Sequence, residues 1–381
     1  MYKVLSIFGT RPEAIKMAPL IKQMANESSI ESKVCVTGQH REMLDQVLSV
    51  FDITPDFDLN LMKAGQDLYD ITASILLGLR DVLSKYKPDL VLVHGDTATS
   101  TAAALAAFYM QIKVGHVEAG LRTNNIYFPW PEEANRQITG VLANYHFAPT
   151  ETSRNNLLLE SKKDSTIKVT GNTVVDALFL VLEKINNDDE LKNKVILHLK
   201  DEGVTLTENR KIILVTGHRR ENFGEGFISI CIALKTLALQ NPSIDIVYPV
   251  HLNPNVQGPV QELLSGIKNI FLIQPLEYEV FLYLISKSYF IITDSGGIQE
   301  EAPSLGKPVL VMRDETERPE AVQAGTVKLV GTDKDKIIKE AQLLLDDNKL
   351  YRRMSEAYNP YGDGKASLRI VEFIKKVAYD S

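Results

Sequence analysis

Short apolar runs alternate with longer amphipathic stretches along most of the chain. In the first half, Val4–Phe8, Val34–Thr37, Leu90–His94, Val114–Glu118 and His146–Pro149 are nearly continuous in apolar character and close on polar or glycine residues. That is the pattern of strands buried on both faces of a parallel sheet. Between them Ala14–Ala25, Asp67–Lys85, Ser100–Met110 and Glu132–Ala143 carry apolar residues at helical spacing. The alternation predicts an α/β fold, a doubly wound sheet with helices on both faces.

The second half repeats this organisation without repeating the sequence. Ile212–Thr216, Asp245–Pro249, Ile270–Leu272, Phe290–Thr293 and Val309–Met312 read as strands. Gly226–Leu239, Val260–Leu264, Tyr278–Ser286, Ile298–Ser304 and Lys334–Asp346 read as helices. Glu183–Lys211 is rich in charge and carries no strand signal, so it reads as surface helix and loop of the second domain. The expected organisation is a Rossmann-like domain over residues 1–171 and a second over 172–364. A last periodic helix, Ser367–Tyr379, follows the turn-rich Asn359–Gly364, and the segment 365–381 is expected to return to the first domain.

At 381 residues, two domains are the natural expectation. A net charge of −7 argues against nucleic acid as a partner. An anionic ligand would need a local cationic cluster. Cys35 and Cys231 sit singly inside apolar runs, which suits core residues in a reducing cytoplasm. The opening apolar run is broken by Gly9-Thr10-Arg11-Pro12-Glu13, so it does not read as a signal peptide. No stretch approaches the ~20 apolar residues of a membrane span, and neither a nucleic acid nor a membrane is an expected partner.

Ligands of open parallel sheets bind at the carboxyl ends of the strands, and the unusual polar residues fall there. Gly9-Thr10-Arg11-Pro12-Glu13 follows the first strand, with Lys16 one turn into the helix, and suits an anion near helix amides. His94-Gly95-Asp96-Thr97 puts Asp96 where it serves either as a helix cap or as a reacting carboxylate. Glu118 ends another strand, and the Pro129-Trp130-Pro131 loop delivers Glu132, Glu133 and Arg136 to a helix start. In the second half Gly217-His218-Arg219-Arg220 is an anion site by composition. Asp294-Ser295-Gly296-Gly297 opens a helix carrying Glu301, where amides suit phosphate and a carboxylate suits ribose hydroxyls. Arg313 and Arg318 add positive charge. His251 and His40 are further candidates, whereas His116, His146 and His198 read as structural. Neither GxGxxG nor a Walker loop nor a metal motif is present, so no nicotinamide, ATP or metal is expected.

Taken together, these residues resemble the non-hydrolysing UDP-N-acetylglucosamine 2-epimerases. The likeness runs through Phe8–Pro19, His94–Thr97, Gly115–Arg122, Pro129–Arg136, Thr170–Asp176, Thr216–Asn222 and Thr293–Glu320. The resemblance implies the glycosyltransferase B architecture, two Rossmann-like domains facing a central cleft. It implies reversible epimerisation at C2 of UDP-N-acetylglucosamine, without a cofactor, supplying polysaccharide precursors from the cytoplasm, and a homodimer. Asp96, Glu118 and Glu132 would be the acid/base carboxylates and His218 would act on the diphosphate. Arg11, Lys16 and Arg136 would contact diphosphate and sugar. Ser295, Gly296, Gly297 and Glu301, with Arg313 and His251 nearby, would hold UDP. Gln39 and His40 match a region where some members bind a second UDP-N-acetylglucosamine. Glu42 and Gly65 depart from the glutamine and arginine of activator-dependent members. A UDP-dependent glycosyltransferase, a hydrolysing relative and a catalytically dead nucleotide-sugar sensor are the competing readings.

Overall fold

The computed structural model describes the chain apart from Gln39, His40, Met62, Ala64, Glu208, Asp380, Ser381 and the side chains of Arg41 and Glu42. The chain divides into two compact units, residues 1–180 with 361–381, and residues 181–360.

The first unit is built on β1 (Tyr2–Phe8), α1 (Arg11–Ala25), β2 (Ile30–Val36), α2 (Arg41–Val50), β3 (Phe57–Asp58), α3 (Leu68–Tyr86), β4 (Leu90–His94) and α4 (Ala98–Tyr109). It continues through β5 (Lys113–Val117), α5 (Glu132–Leu142), β6 (Tyr145–Ala148), α6 (Glu151–Leu159), β7 (Ile167–Val169) and α7 (Thr173–Asn187). The strands form one parallel sheet in the order β3-β2-β1-β4-β5-β6-β7. The order reverses between β1 and β4, which opens a crevice at their carboxyl ends. Val4, Leu5, Ile7 and Phe8 of β1 and Val91, Leu92 and Val93 of β4 are wholly buried, because helices cover both faces of the sheet.

The second unit runs α8 (Asp189–Asp201), β8 (Lys211–Thr216), α9 (Glu225–Gln240), β9 (Ile244–Pro249), α10 (Pro254–Leu264), β10 (Ile270–Ile273), α11 (Tyr278–Lys287) and β11 (Phe290–Thr293). Then come α12 (Ile298–Ser304), β12 (Val309–Val311), α13 (Pro319–Ala324), β13 (Val327–Leu329), α14 (Lys334–Asp346) and α15 (Asn348–Ser355). Its parallel sheet has the order β10-β9-β8-β11-β12-β13, with the switch between β8 and β11. Helix α16 (Ala366–Tyr379) belongs to the first unit. Its Phe373 ring meets Tyr145 and Phe147 edge-on at 5.5 Å, and Lys375 pairs with Glu27 at 2.7 Å.

The doubly wound α/β class expected from the alternating pattern is what the chain adopts. Every strand drawn from an apolar run is present. The three strands that the pattern missed, β3, β7 and β13, are short and lie at sheet edges. Helix α10 begins at Pro254, upstream of the expected Val260, because Asn253 caps it and Pro254 fits the first turn.

Candidate active site

In the first unit, four strand ends supply the polar residues. Helix α1 begins directly after β1, with Arg11 and Pro12 in its first turn and Lys16 one turn further along. Arg11 is half-buried and makes no ion pair among the described residues. Lys16 donates to the Oε2 of Glu118, just beyond β5, and Asn172 Nδ2 donates to the same oxygen at 2.6 Å. Glu118 has φ +64°, in the left-handed region that is costly for a residue with a Cβ. His94 Nε2 lies 3.9 Å from that carboxylate. Its pKa falls to about 4, chiefly through burial, although Glu118 pulls it upward.

Asp96 stands between β4 and α4. The cap of α4 is its neighbour Thr97, whose hydroxyl accepts from Ser100 N at 3.1 Å, so Asp96 is not spent as a cap. Arg136 forks onto Asp96 Oδ2 at 2.5 and 3.1 Å, and Asn135 donates to the Asp96 carbonyl at 3.0 Å. Burial pushes the Asp96 pKa up, Arg136 opposes that shift, and the charge of Glu118 reinforces it. Glu132 sits in the first turn of α5, with Oε2 buried and without a hydrogen-bond partner among the described residues.

Three neighbours without an assigned role emerge from the structure. Glu13 accepts from Gly9 N (3.0 Å), Thr10 N (2.8 Å), Thr97 Oγ1 (2.6 Å) and Ser100 Oγ (3.0 Å), tying the turn after β1 to the turn after β4. Glu133, wholly buried, accepts from Arg136 at 3.1 Å and from Thr123 N at 3.1 Å. His116, inside β5, bonds through Nε2 to the Gly95 carbonyl at 2.7 Å, bracing the turn that presents Asp96. Glu13 had a readable signal, the Thr-x-x-Glu capping box at a helix start.

In the second unit, His218 follows β8 and is half-exposed. Behind it lies Asp294, wholly buried at the end of β11. Asp294 Oδ2 accepts from the His218 and Arg219 amides at 2.8 Å each and from Asn222 Nδ2 at 3.3 Å. His218 Nδ1 is 3.7 Å from Asp294 Oδ1. The His251 ring stacks on His218 at 5.0 Å and 13°. Burial lowers the His218 pKa, Asp294 raises it, and His251 and Arg219 lower it again.

Ser295, Gly296 and Gly297 form the turn into α12, with Glu301 buried on that helix. A Cβ at Gly296 would lie 2.8 Å from the Arg318 guanidinium, so any larger residue there would have to displace that side chain. Arg318 is in turn fixed by Glu300 at 2.7 Å. Arg313 is buried and already matched, 2.7 Å from Glu221 and 3.0 Å from Glu317. Burial would raise the Glu317 pKa, yet Arg313 and Arg318 bring it down to about 2. Arg313 therefore contributes little uncompensated charge. Gln39 and His40 lie outside the described residues. Among the described residues, no group of three His, Cys, Asp or Glu is arranged to hold a metal ion.

The family model described as UDP-N-acetylglucosamine 2-epimerase matches residues 22–375. The UDP-N-acetylglucosamine 2-epimerase of Campylobacter jejuni is 64% identical over 374 residues, 98% of this chain and 97% of its own. That of Escherichia coli K12 is 60% identical over 373 residues, 98% of each chain. The crystal structure of the Neisseria meningitidis UDP-GlcNAc 2-epimerase bound to UDP-GlcNAc superposes with a TM-score of 0.89 at 56% identity. That match covers 98% of this chain and 100% of the other. Sucrose-phosphate synthase of Thermosynechococcus elongatus, 12% identical with a TM-score of 0.63, shares the fold alone. The chain belongs to the UDP-N-acetylglucosamine 2-epimerase family.

Proposed function

We propose that this protein interconverts UDP-N-acetylglucosamine and UDP-N-acetylmannosamine by eliminating UDP and adding it back. The C2 hydrogen is not adjacent to a carbonyl, so direct deprotonation is a poor route. A carboxylate removes H2 while the C1–O bond to the β-phosphate breaks. The C–H electron pair becomes the C1=C2 double bond of 2-acetamidoglucal, and the C1–O pair leaves on the phosphate oxygen. UDP then returns to C1 and an acid protonates C2 from the opposite face, inverting it. The steps balance without a hydride carrier.

The observation that carries this reading is the pairing of two carboxylates at adjacent strand ends with separate cations, Asp96 with Arg136 and Glu118 with Lys16. Inversion needs acid/base groups on two faces of the ring. Burial raises the Asp96 pKa above its ordinary value, and perturbed carboxyls of this kind cluster at acid/base sites. Glu132 supplies a third carboxylate with an oxygen still unpartnered among the described residues. We assign sugar and diphosphate contacts to Arg11, Lys16 and Arg136. His218, steadied by Asp294 and stacked on His251, donates to the departing β-phosphate. Ser295, Gly296 and Gly297 offer amides to UDP and Glu301 takes its ribose, with Arg313 steadying the adjoining loop.

We also propose a cytoplasmic homodimer. Its support is the exposed apolar face of α3 and α4, where Tyr69, Leu77, Phe108 and Tyr109 are 55–86% exposed. The function is tested by incubating the purified protein with UDP-N-acetylglucosamine and no added cofactor. UDP-N-acetylmannosamine is expected by proton NMR. A requirement for NAD, or free N-acetylmannosamine as the main product, would overturn the reading.

A further inference from the structure

At the foot of the six-stranded sheet, where its strands begin, a cavity of about 510 Å³ is lined by Lys211, Lys287 and Lys307. Lys211 opens β8, Lys287 closes α11, and Lys307 sits in the turn before β12. Because the strands are parallel, this is the end opposite His218, Asp294 and Ser295. The length of β8 separates the two ends, roughly 16 Å at the usual rise of a strand.

The same cavity has an aromatic wall. Tyr289 and Tyr351 stack at 4.1 Å and 4°, and the Tyr351 hydroxyl donates to the Tyr289 carbonyl at 3.0 Å. The Lys211 ammonium stands 4.0 Å from the centre of the Tyr289 ring, and Lys287 stands 5.2 Å from that of Tyr283.

No described residue lining the cavity is acidic. Arg210 at its rim is already matched by Asp245 at 2.6 and 2.8 Å. Among the described residues, none of the three lysines forms an ion pair. Three like charges around one hollow repel, and here they do so in a chain of net charge −7. Burial and the charge of Lys287 push the Lys307 pKa down. A bound anion removes that repulsion.

We propose that this cavity is a second anion site, which takes a small phosphorylated molecule with an aromatic or apolar body. Ammonium groups act as point charges suited to phosphate, and Leu206, Tyr283 and Tyr351 give the body an apolar, aromatic wall. The site is separate from the residues assigned to epimerisation and does not depend on that assignment.

The test is a titration of the full-length protein with phenyl phosphate, read by NMR of ε-13C-labelled lysine. The signals are assigned through single Lys→Gln variants. Lys211, Lys287 and Lys307 are expected to shift together along one saturating curve, independently of Lys16. Lys287→Gln should weaken that curve about tenfold while leaving turnover and Tm unchanged, since Lys287 is exposed at a helix end. Inorganic phosphate should bind more weakly than phenyl phosphate. The proposal is overturned if the three signals stay still or move without saturating. Unchanged affinity in a Lys287→Gln/Lys307→Gln variant, or equal affinity for inorganic phosphate, contradicts it as well.

Discussion

The carboxylate of Glu13 accepts the hydroxyl of Thr97 at 2.6 Å, joining the turn after β1 to the turn after β4. Arg11 and Lys16 ride on the first turn and Asp96 on the second, so one buried side chain sets their relative placement. Glu13→Ala leaves several buried donors unmatched, and each such donor costs about 1–3 kcal/mol. Turnover should fall roughly 10–100-fold through misplacement alone. Chemical denaturation and kcat on the one variant check both, and an unchanged kcat would contradict the tie.

Amide substitutions at Asp96, Glu118 and Glu132 keep shape and remove acid/base capacity. Each should lower kcat by roughly 10²–10⁴ while the melting temperature stays near that of the parent. A variant that keeps parental turnover loses its place among the reacting groups.

His218 is placed to act on charge that develops as UDP departs. His218→Ala should lower kcat by roughly 10²–10³, with a much smaller loss of UDP affinity because the glycine-rich amides remain. Asp294→Asn should reproduce part of that loss, since the aspartate accepts both loop amides. Loss of UDP affinity in step with kcat would instead make His218 a binding residue.

Three buried histidines make stability depend on pH. Burial lowers His94 to about 4 and His116 and His146 to about 3, against an ordinary value near 6.5. Between those values the unfolded chain binds protons that the folded chain refuses. Stability is therefore complete above about pH 6.5 and is lost as pH falls, by up to about 1.4 kcal/mol per pH unit for each histidine. Denaturation midpoints at pH 7.5 and 5 should show the drop, and His146→Leu should flatten it. A midpoint that does not move across this range would contradict the burial.

Most of the fold was legible because its central strands are buried on both faces and leave unbroken apolar runs. The edge strands were not, since β7 and β13 bury one residue fully and expose the next, as in Ile167-Lys168 and Val327-Lys328. The candidate carboxylates could be read from strand ends, whereas their partners could not. Asn172 reaches Glu118 across 54 positions, and Asp294 meets His218 across 76. Such pairings follow from strand order, which no local pattern carries. Arg313 shows the converse: its charge was plain in sequence, and the glutamates that absorb it were not.

Elimination and re-addition make two demands that no oxidation route meets together: the hydrogen at C2 must exchange with solvent, and the C1–O bond must break to give 2-acetamidoglucal and UDP. The purified protein, given UDP-N-acetylglucosamine in deuterated water, should yield UDP-N-acetylmannosamine carrying deuterium at C2, with traces of 2-acetamidoglucal and free UDP. Product that retains the original C2 hydrogen would contradict the proposed mechanism.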